Sequence, residues 1–358
     1  MLGKRGVLTF AGVACACLGA ISAAGGGDAR AAATRSVPLV AYVSGSGDQI
    51  IVVGADGRGG HALPFGAGGG WDPSWSPDGT KLAYAHGTSP TGFQYGVAVA
   101  DLASGGAYGV GIPDDFDTEH PRWSPDGRWL AFEAYPVQGS AQGDDVDYVD
   151  LWVTLADGTQ PRLLFDATKT PGNASNASQS GAAWSWAPDS RSIAFEWVTH
   201  RARNVGIVDV LTGSMRVLTR GGQPAWAPDG RRVAFVNSHG IAVIGIDGSG
   251  LTTLVHIPAA DAGGPVSWSP DGKTIAYWTT SYSAAAETAS LMLVGAAGHS
   301  QPRTLLKAPF DELERPEWAR DSHSLLVSNG NGVWIVPVSA GSRPIRLAAH
   351  GGDADWRG

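Results

Sequence analysis

The sequence has little charge, little methionine and almost no cysteine. Charged residues make up 16% of the 358 residues, and there are three Met and two Cys. Both cysteines, Cys15 and Cys17, lie near the N-terminus, so a disulfide framework in the rest of the chain is excluded. The only long apolar run also lies at the N-terminus, which excludes a polytopic membrane protein.

The residues that are abundant favour strands over helices. The chain has 51 Gly and 22 Pro, spread along its whole length, and 14 Trp. Gly and Pro are unfavourable inside helices, whereas short strands joined by tight turns use both. Composition therefore predicts an all-β protein with a sheet-type core.

The first residues have the pattern of an export signal. Lys4 and Arg5 precede a short apolar stretch from Gly6 to Ala20, and small residues follow it. This predicts a secretory signal peptide over residues 1–24 and a flexible Ala/Gly-rich linker over residues 25–37. The alternatives are a membrane anchor and a lipoprotein acylated on one of the two cysteines. The predicted location is the periplasm, the cell surface or the medium.

Charge narrows the range of partners. Removing residues 1–24 takes away two bases and no acid, so the formal net charge changes from −8 to −10. Nucleic acid and anionic membrane surfaces are poor partners for such a chain. We expect a monomer with no membrane span in the mature chain, and an envelope or extracellular protein, peptide or saccharide as partner.

One short motif, in which Trp stands before a turn of the Pro-Asp-Gly type, recurs six times along the rest of the sequence; we call it the phrase. A seventh Trp, Trp356, follows the last copy, and successive Trp residues of this series are 38 to 63 residues apart. A short alternating strand follows each phrase, for example Lys81 to Tyr84, and a third and a fourth strand follow that. The six phrases are Trp75 to Gly79, Trp123 to Gly127, Trp186 to Ser190, Trp226 to Gly230, Trp268 to Gly272 and Trp318 to Ser322.

The turn chemistry explains the phrase. Pro presets φ at the second turn position, and Gly accepts a positive φ at the fourth. The phrase therefore predicts a hairpin turn between the first and second strands of each unit. Ser190 and Ser322 replace Gly in two units, and we expect those two turns to be strained.

Four antiparallel strands in about 40 residues are typical of a propeller blade. The mature chain begins with a strand of the second type, Leu39 to Val43, and ends with one of the first type, Asp353 to Trp356. We therefore predict a seven-bladed β-propeller over residues 38–358, closed by pairing of its N- and C-terminal strands. If those strands do not pair, the count is six; a β-sandwich is the other all-β alternative.

The phrase resembles the WD40-like PD40 repeat of the TolB family of β-propellers. Pro73, Pro121, Pro224 and Pro316 match the Pro two places before the Trp. The resemblance implies a propeller fold over about residues 38–356. TolB resemblance also implies six blades and a preceding α/β domain, and this sequence differs in both respects.

The resemblance leaves two classes of function open. The same repeat occurs in periplasmic scaffolds, in peptidase propellers and in enzymes similar to oligogalacturonate lyase. We favour a binding scaffold that is not an enzyme and assign no catalytic residue. The alternative is a lyase- or hydrolase-like enzyme with its site at the mouth of the central channel. A serine peptidase is excluded because the sequence has no Gly-x-Ser-x-Gly.

The long connections are predicted to lie on one face of the ring, where function is usually found. Two of them are rich in aspartate, which could bind Ca²⁺, although solvated acidic loops are the simpler interpretation. We predict no other cofactor. The candidate Ca²⁺ ligands are Asp114, Asp115, Asp117, Asp144, Asp145 and Asp147.

A second set of candidates lies just before the Trp of each inner strand, where the chain approaches the channel. A His among carboxylates there could bind a metal or act as a base, but such a residue is more often an ordinary hydrogen-bonded rim residue. These candidate binding residues are Asp72, Glu119, His120, Gln223, Glu314, Arg315 and Asp353.

Overall fold

Seven four-stranded antiparallel sheets make up the computed structural model of this chain. Apart from a one-turn 3-10 helix, Ala167–Lys169, the regular elements are strands. The structure describes residues 37–45, 49–64, 69–88, 95–112, 116–136, 149–169, 183–199, 202–258, 261–282, 287–298, 300–309, 313–329 and 332–357. The predicted signal peptide and all but the last residue of the linker lie outside these ranges.

The first three blades follow the chain in order. Blade 1 contains β1 (Leu39–Ser44), β2 (Ile50–Gly54) and β3 (His61–Ala62). Blade 2 contains β4 (Trp71–Trp75), β5 (Lys81–Gly87), β6 (Tyr95–Asp101) and β7 (Gly106–Gly109). Blade 3 contains β8 (Phe116–Trp123), β9 (Trp129–Pro136), β10 (Asp150–Leu155) and β11 (Arg162–Phe165).

The next four blades repeat this order, and the last strand returns to blade 1. Blade 4 contains β12 (Trp184–Trp186), β13 (Ser192–Thr199), β14 (Ala202–Asp209) and β15 (Met215–Arg220). Blade 5 contains β16 (Gly222–Trp226), β17 (Arg232–Asn237), β18 (Gly240–Gly245) and β19 (Thr252–His256). Blade 6 contains β20 (Asp261–Trp268), β21 (Thr274–Tyr282), β22 (Glu287–Gly295) and β23 (Arg303–Pro309). Blade 7 contains β24 (Glu317–Trp318), β25 (Ser324–Asn329), β26 (Gly332–Pro337) and β27 (Ile345–Ala348), and β28 (Gly351–Trp356) follows it.

The ring closes through its two ends. Strand β28 pairs antiparallel with β1, with Val40 opposite Trp356 and Tyr42 opposite Ala354, and it becomes the inner strand of blade 1. The prediction of seven blades closed by the terminal strands is therefore confirmed, and the six-bladed and sandwich alternatives are wrong. Closure matters physically because it leaves no inner sheet edge open between the first and last blades.

The Pro-Asp-Gly turns have the expected geometry. Gly79 and Gly127 lie at φ 67° and 70°, and Ser190 and Ser322 adopt φ 61° at the same position. A left-handed conformation is unfavourable for serine, so the strain predicted for these two turns is present. Each of the two serines uses its Oγ to accept an N–H from the turn of the preceding blade, for example Ser190 from Asp126 at 3.0 Å.

Tryptophans of the inner strands fix neighbouring blades to each other. The indole N–H of Trp123 donates to the carbonyl of Ser74 in the preceding blade at 3.1 Å, and Trp268 donates to Ala225 at 3.1 Å. Apolar residues of adjacent blades form the core around them, as where Val97 and Val99 of blade 2 pack with Phe132 of blade 3. At these two positions the repeated Trp is therefore a residue that links blades.

Two kinds of connection separate the faces of the ring. The hairpin turns between first and second strands, such as residues 76–80, lie at one end. The other end is where each inner strand begins, and the last residues of β9 and β11 also lie there. We call this end the mouth. Within the described ranges, none of the helical structure reaches the length and apolarity of a membrane span.

Candidate functional site

Four inner strands contain, ahead of their Trp, a residue whose backbone is left-handed. Asp72, His120, Gln223 and Asp353 have φ values of 51°, 53°, 54° and 41°. Each stands three residues before the Trp of its strand, where the pairing register shifts at a bulge. Such backbone conformations cost on the order of 1–3 kcal/mol and concentrate at functional sites. These strained positions at the mouth therefore indicate a functional site.

Carboxylates bridge three of these positions from blade to blade. Glu314 Oε1 accepts the backbone N–H of Asp353 at 2.7 Å, and Asp353 Oδ2 accepts that of Asp72 at 3.3 Å. Asp72 Oδ2 in turn accepts the N–H of His120 at 3.1 Å. Each acid thus holds the strained backbone of the next blade, and the carboxyl groups are brought into a continuous row.

His120 ends this row between two carboxylates. Its Nδ1 lies 3.0 Å from Glu133 Oε2, off the line of an aligned hydrogen bond, and its Nε2 lies 3.6 Å from Asp72 Oδ2. The Tyr135 hydroxyl donates to the same Glu133 oxygen at 2.8 Å. Burial lowers the pKa of His120, but the charges of Asp72 and Glu133 outweigh it and raise the pKa to about 10. His120 is therefore an imidazolium at neutral pH.

The neighbouring acids are harder to ionise than free carboxyl groups. Burial, with a contribution from Asp353, raises the pKa of Glu314 to about 8. Burial and the charge of Asp72 raise the pKa of Asp353 to about 6. Burial also raises the pKa of Glu119, against the lowering effect of His120. More negative charge is gathered here than His120 alone balances.

We call this group the acidic arc. It extends over blades 7, 1, 2 and 3 and contains five of the seven candidate binding residues. Its one addition, Glu133, was missed by the sequence analysis. The arc consists of Asp72, Glu119, His120, Glu133, Glu314 and Asp353.

The other two candidate residues lie on a different part of the rim. Gln223 donates its backbone N–H to Glu196 Oε2 at 2.8 Å, and Glu196 Oε1 lies 2.6 Å from Arg203 Nε. Arg315 extends from blade 7 across the channel and donates to the carbonyls of Trp184 and Pro224, each at 3.0 Å. We call Glu196, Arg203, Gln223 and Arg315 the clamped arc, because every one of them is bound to protein atoms.

A third layer lies deeper in the channel and also escaped the sequence analysis. Asp355 Oδ2 accepts the backbone N–H of Trp75 at 2.5 Å. Burial and the nearby Asp355 raise the pKa of Glu317 well above its ordinary value. Burial opposes the charge on Arg122, but Glu317 and Asp355 outweigh it and raise the pKa of that guanidinium. Each of these three residues stands one place before a Trp.

The missed glutamates had a weak signal in the sequence. Glu133 and Glu196 both follow Ala-Phe in a second strand that is otherwise apolar. A charged residue in a buried strand requires a partner, but only the folded ring shows which partner each one has.

Asp117 is the single candidate Ca²⁺ ligand inside the described ranges. Its Oδ1 accepts the backbone N–H of Tyr95 at 2.8 Å, which ties β8 to β6. The other five, Asp114, Asp115, Asp144, Asp145 and Asp147, lie outside the described residues, so the Ca²⁺ site stays a prediction. In the acidic arc, Asp72, Glu119 and His120 offer ligand atoms within 4.8 Å of one another.

Known structures share this architecture. A structure assigned to TolB from Agrobacterium tumefaciens superposes with a TM-score of 0.52 and 17% identity, over 85% of this chain and 99% of that one. A structure of oligogalacturonate lyase in complex with manganese superposes with a TM-score of 0.58 and 14% identity, over 88% of this chain and 85% of that one. The chain is thus a β-propeller, and at these identities the likeness to TolB and to the lyase concerns the fold alone.

Sequence comparison gives a partial match. No family model matches the chain. Dipeptidyl-peptidase 5 of Porphyromonas gingivalis is 29% identical over 161 residues, which are 42% of this chain and 21% of the peptidase. The chain spans about a fifth of the length of this curated relative. The PD40 resemblance therefore stays an interpretation of the repeat, while the propeller itself is established.

Proposed function

We propose that this chain is an exported binding scaffold. Its mouth takes a cationic group presented by an envelope or extracellular protein, peptide or saccharide. The observation that carries the proposal is the acidic arc, in which five carboxyl groups lie in one row with a single imidazolium at its end. A cationic group entering the arc gains attraction that the protein's own charges leave unbalanced.

The rigid ring suits this task. Each carboxylate of the row is held by the backbone of a neighbouring blade, as Asp72 is by His120. Side chains held in this way lose little conformational freedom on binding, which favours affinity. Export follows from the predicted signal over residues 1–24 and remains part of the proposal.

The test is binding of a fluorescent oligolysine peptide, followed by polarisation in the presence of a chelator. We expect saturable binding that weakens with added salt, and no binding of an oligoglutamate peptide. Glu119→Gln should weaken binding several-fold. The matched control, Asp321→Asn, removes the same charge from an exposed turn at the opposite end and should bind like the wild type. Equal binding by both variants, or no binding by the wild type, contradicts the proposal.

An enzyme at the mouth is the second candidate, because a His and several carboxylates converge there. One enzyme among the structural neighbours is an oligogalacturonate lyase in complex with manganese. Proton abstraction needs a base that is unprotonated at working pH, and the raised pKa of His120 opposes that role. Incubation with oligogalacturonate and Mn²⁺, followed by the absorbance of unsaturated product, tests this candidate. Turnover that His120→Asn abolishes would favour the enzyme over the scaffold.

A further inference from the structure

We propose that Asp72, Glu119 and His120 together hold one divalent first-row transition ion, such as Zn²⁺ or Mn²⁺, at the mouth of the channel. The inference concerns the same acidic arc as the proposed function and names a specific ligand for it. Binding of a cationic partner and binding of a metal ion can be measured independently, and the experiment below distinguishes them.

The spacing of the three side chains fits a shared ion. Their ligand atoms lie within 4.8 Å of one another. His120 Nε2 and Asp72 Oδ2 are 3.6 Å apart, which is too long for a hydrogen bond. Two ligands at about 2.1 Å from one ion are separated by roughly 3.0–3.5 Å. The pair therefore has nearly the separation that ligands of a single ion have.

The surroundings of the imidazole resemble those of a metal-binding histidine. Glu133 lies on the side of the ring away from Asp72, with Oε2 3.0 Å from Nδ1, and Tyr135 holds that oxygen by a hydrogen bond of 2.8 Å. Metal-bound histidines commonly have a carboxylate behind the ring in this way, because it fixes the ring orientation and strengthens the ligand. This feature is independent of the number of acids in the arc.

Burial shows that the groups are built into the fold. The side chains of Asp72, Glu133 and His120 are 7%, 10% and 18% exposed. Nδ1 of His120 is fully buried and has no aligned hydrogen-bond partner. The backbone of Asp72 and His120 is held in the left-handed region, so both side chains are aimed by the bulges of β4 and β8. Side chains fixed in this way keep their positions without an ion, so that an ion can bind without large rearrangement. The ion binds Nε2 in place of its proton, which is released to solvent.

The donor set selects the kind of ion. One imidazole nitrogen with two carboxylates suits Zn²⁺ and Mn²⁺, whereas Ca²⁺ takes oxygen ligands only. We therefore expect this site to prefer transition ions over Ca²⁺. That preference separates it from the aspartates of the loops.

The experiment is calorimetric titration of the full chain, stripped with a chelator and desalted, with ZnCl₂, MnCl₂ and CaCl₂ in turn. We expect about one Zn²⁺ per chain and much weaker Ca²⁺ binding. His120→Asn and Asp72→Asn should each weaken Zn²⁺ binding at least tenfold. Asn tolerates the left-handed backbone of both positions, so both variants are expected to fold, which tryptophan fluorescence checks.

Two further variants sharpen the titration. Glu133→Gln retains all three ligands and should weaken Zn²⁺ binding about 10-fold, as loss of an orienting carboxylate does. His239→Asn removes an exposed histidine and should bind like the wild type. Wild-type affinity in both His120→Asn and Asp72→Asn, or Ca²⁺ binding more tightly than Zn²⁺, would overturn the inference.

The two proposals fail differently. Oligolysine binding in chelator with no Zn²⁺ uptake would retain the scaffold and reject the metal site. Uptake of Zn²⁺ with no oligolysine binding, with or without the ion, would retain the metal site and reject the cationic partner.

Discussion

The acidic arc and the clamped arc are built on the same blade template, but their equivalent glutamates have different partners. Glu133 and Glu196 occupy the same place in β9 and β13, directly after Ala-Phe. Glu196 caps the strained backbone of Gln223 and pairs with Arg203. Glu133 instead faces His120 and Tyr135. The comparison teaches that one position in a repeat can stabilise the ring in one blade and shape a site in another.

The largest effect should come from deleting residues 353–358, which removes the inner strand of blade 1 and one member of the acidic arc. Blade 1 then exposes β1, and Trp356 is lost, a change that by itself typically costs about 3–5 kcal/mol. We expect the melting temperature, followed by tryptophan fluorescence, to fall by ~10 °C or more. Asp353→Asn keeps the strand and should remain close to the wild type. An unchanged melting temperature in the deletion would contradict closure through β28.

Replacing Arg315 tests whether the clamped arc serves stability alone. Arg315→Met leaves the carbonyls of Trp184 and Pro224 without this donor. A hydrogen bond from a charged group contributes about 1.5–3 kcal/mol, so urea unfolding should show a loss of ~3 kcal/mol or more. Arg315→Lys should restore part of it. Oligolysine and Zn²⁺ affinities should not change. A large loss of either affinity would show that the clamped arc also contributes to binding.

The two glutamates provide a matched pair. Glu196→Ala leaves the buried N–H of Gln223 unsatisfied, and we expect a loss of about 1–3 kcal/mol in urea unfolding with ligand binding unchanged. Glu133→Gln should change ligand binding and lower the pKa of His120 from about 10, as measured by NMR titration. If Glu196→Ala lowers the His120 pKa as much as Glu133→Gln does, the two positions are not distinct.

The smallest effect concerns pH. The pKa of Glu314 is raised to about 8 in the fold, from about 4.3 in the unfolded chain. The folded state therefore binds this proton more tightly. Its contribution to stability is fully present below pH 4.3 and is lost as the pH rises to about 8. Asp353, raised to about 6, acts in the same direction over a narrower range.

Urea midpoints across this pH range, in chelator, test the assignment. Glu314→Gln keeps an acceptor for Asp353 but cannot ionise, so its midpoint should decline less between pH 4.3 and 8. The clamped-arc variant Arg315→Lys should keep the wild-type slope over this interval. Equal slopes in the wild type and Glu314→Gln would show that Glu314 does not titrate there.

The repeat made most of the architecture predictable. The repeated Trp, as at Trp75 and Trp123, marks the end of an inner strand. It does so because the Pro-Asp-Gly turn that follows it can only connect the first strand of a blade to the second. The shared blade followed from the strand types at the two ends of residues 38–358. The position before each Trp also predicted that Asp72, His120 and Asp353 would lie at the mouth.

Partners across blades were not predictable. Arg315 and Asp353 stand at equivalent positions before a Trp, yet Arg315 crosses the channel and Asp353 joins its neighbours. Arg122, Glu317 and Asp355 looked like ordinary strand residues, and only closure of the ring brings them together. Their pairing depends on distances between blades that are remote in sequence.

The sequence by itself determined the repeated unit, the number of blades and the way the ring closes. These features depend on local turn geometry and on a period that the recurring Trp shows along the chain. Only the tertiary structure decided which carboxylates cap backbone N–H groups and which surround His120. The physical reason is that charges interact through space at distances of a few ångströms. In this ring, those distances are fixed by neighbouring blades and not by neighbouring residues.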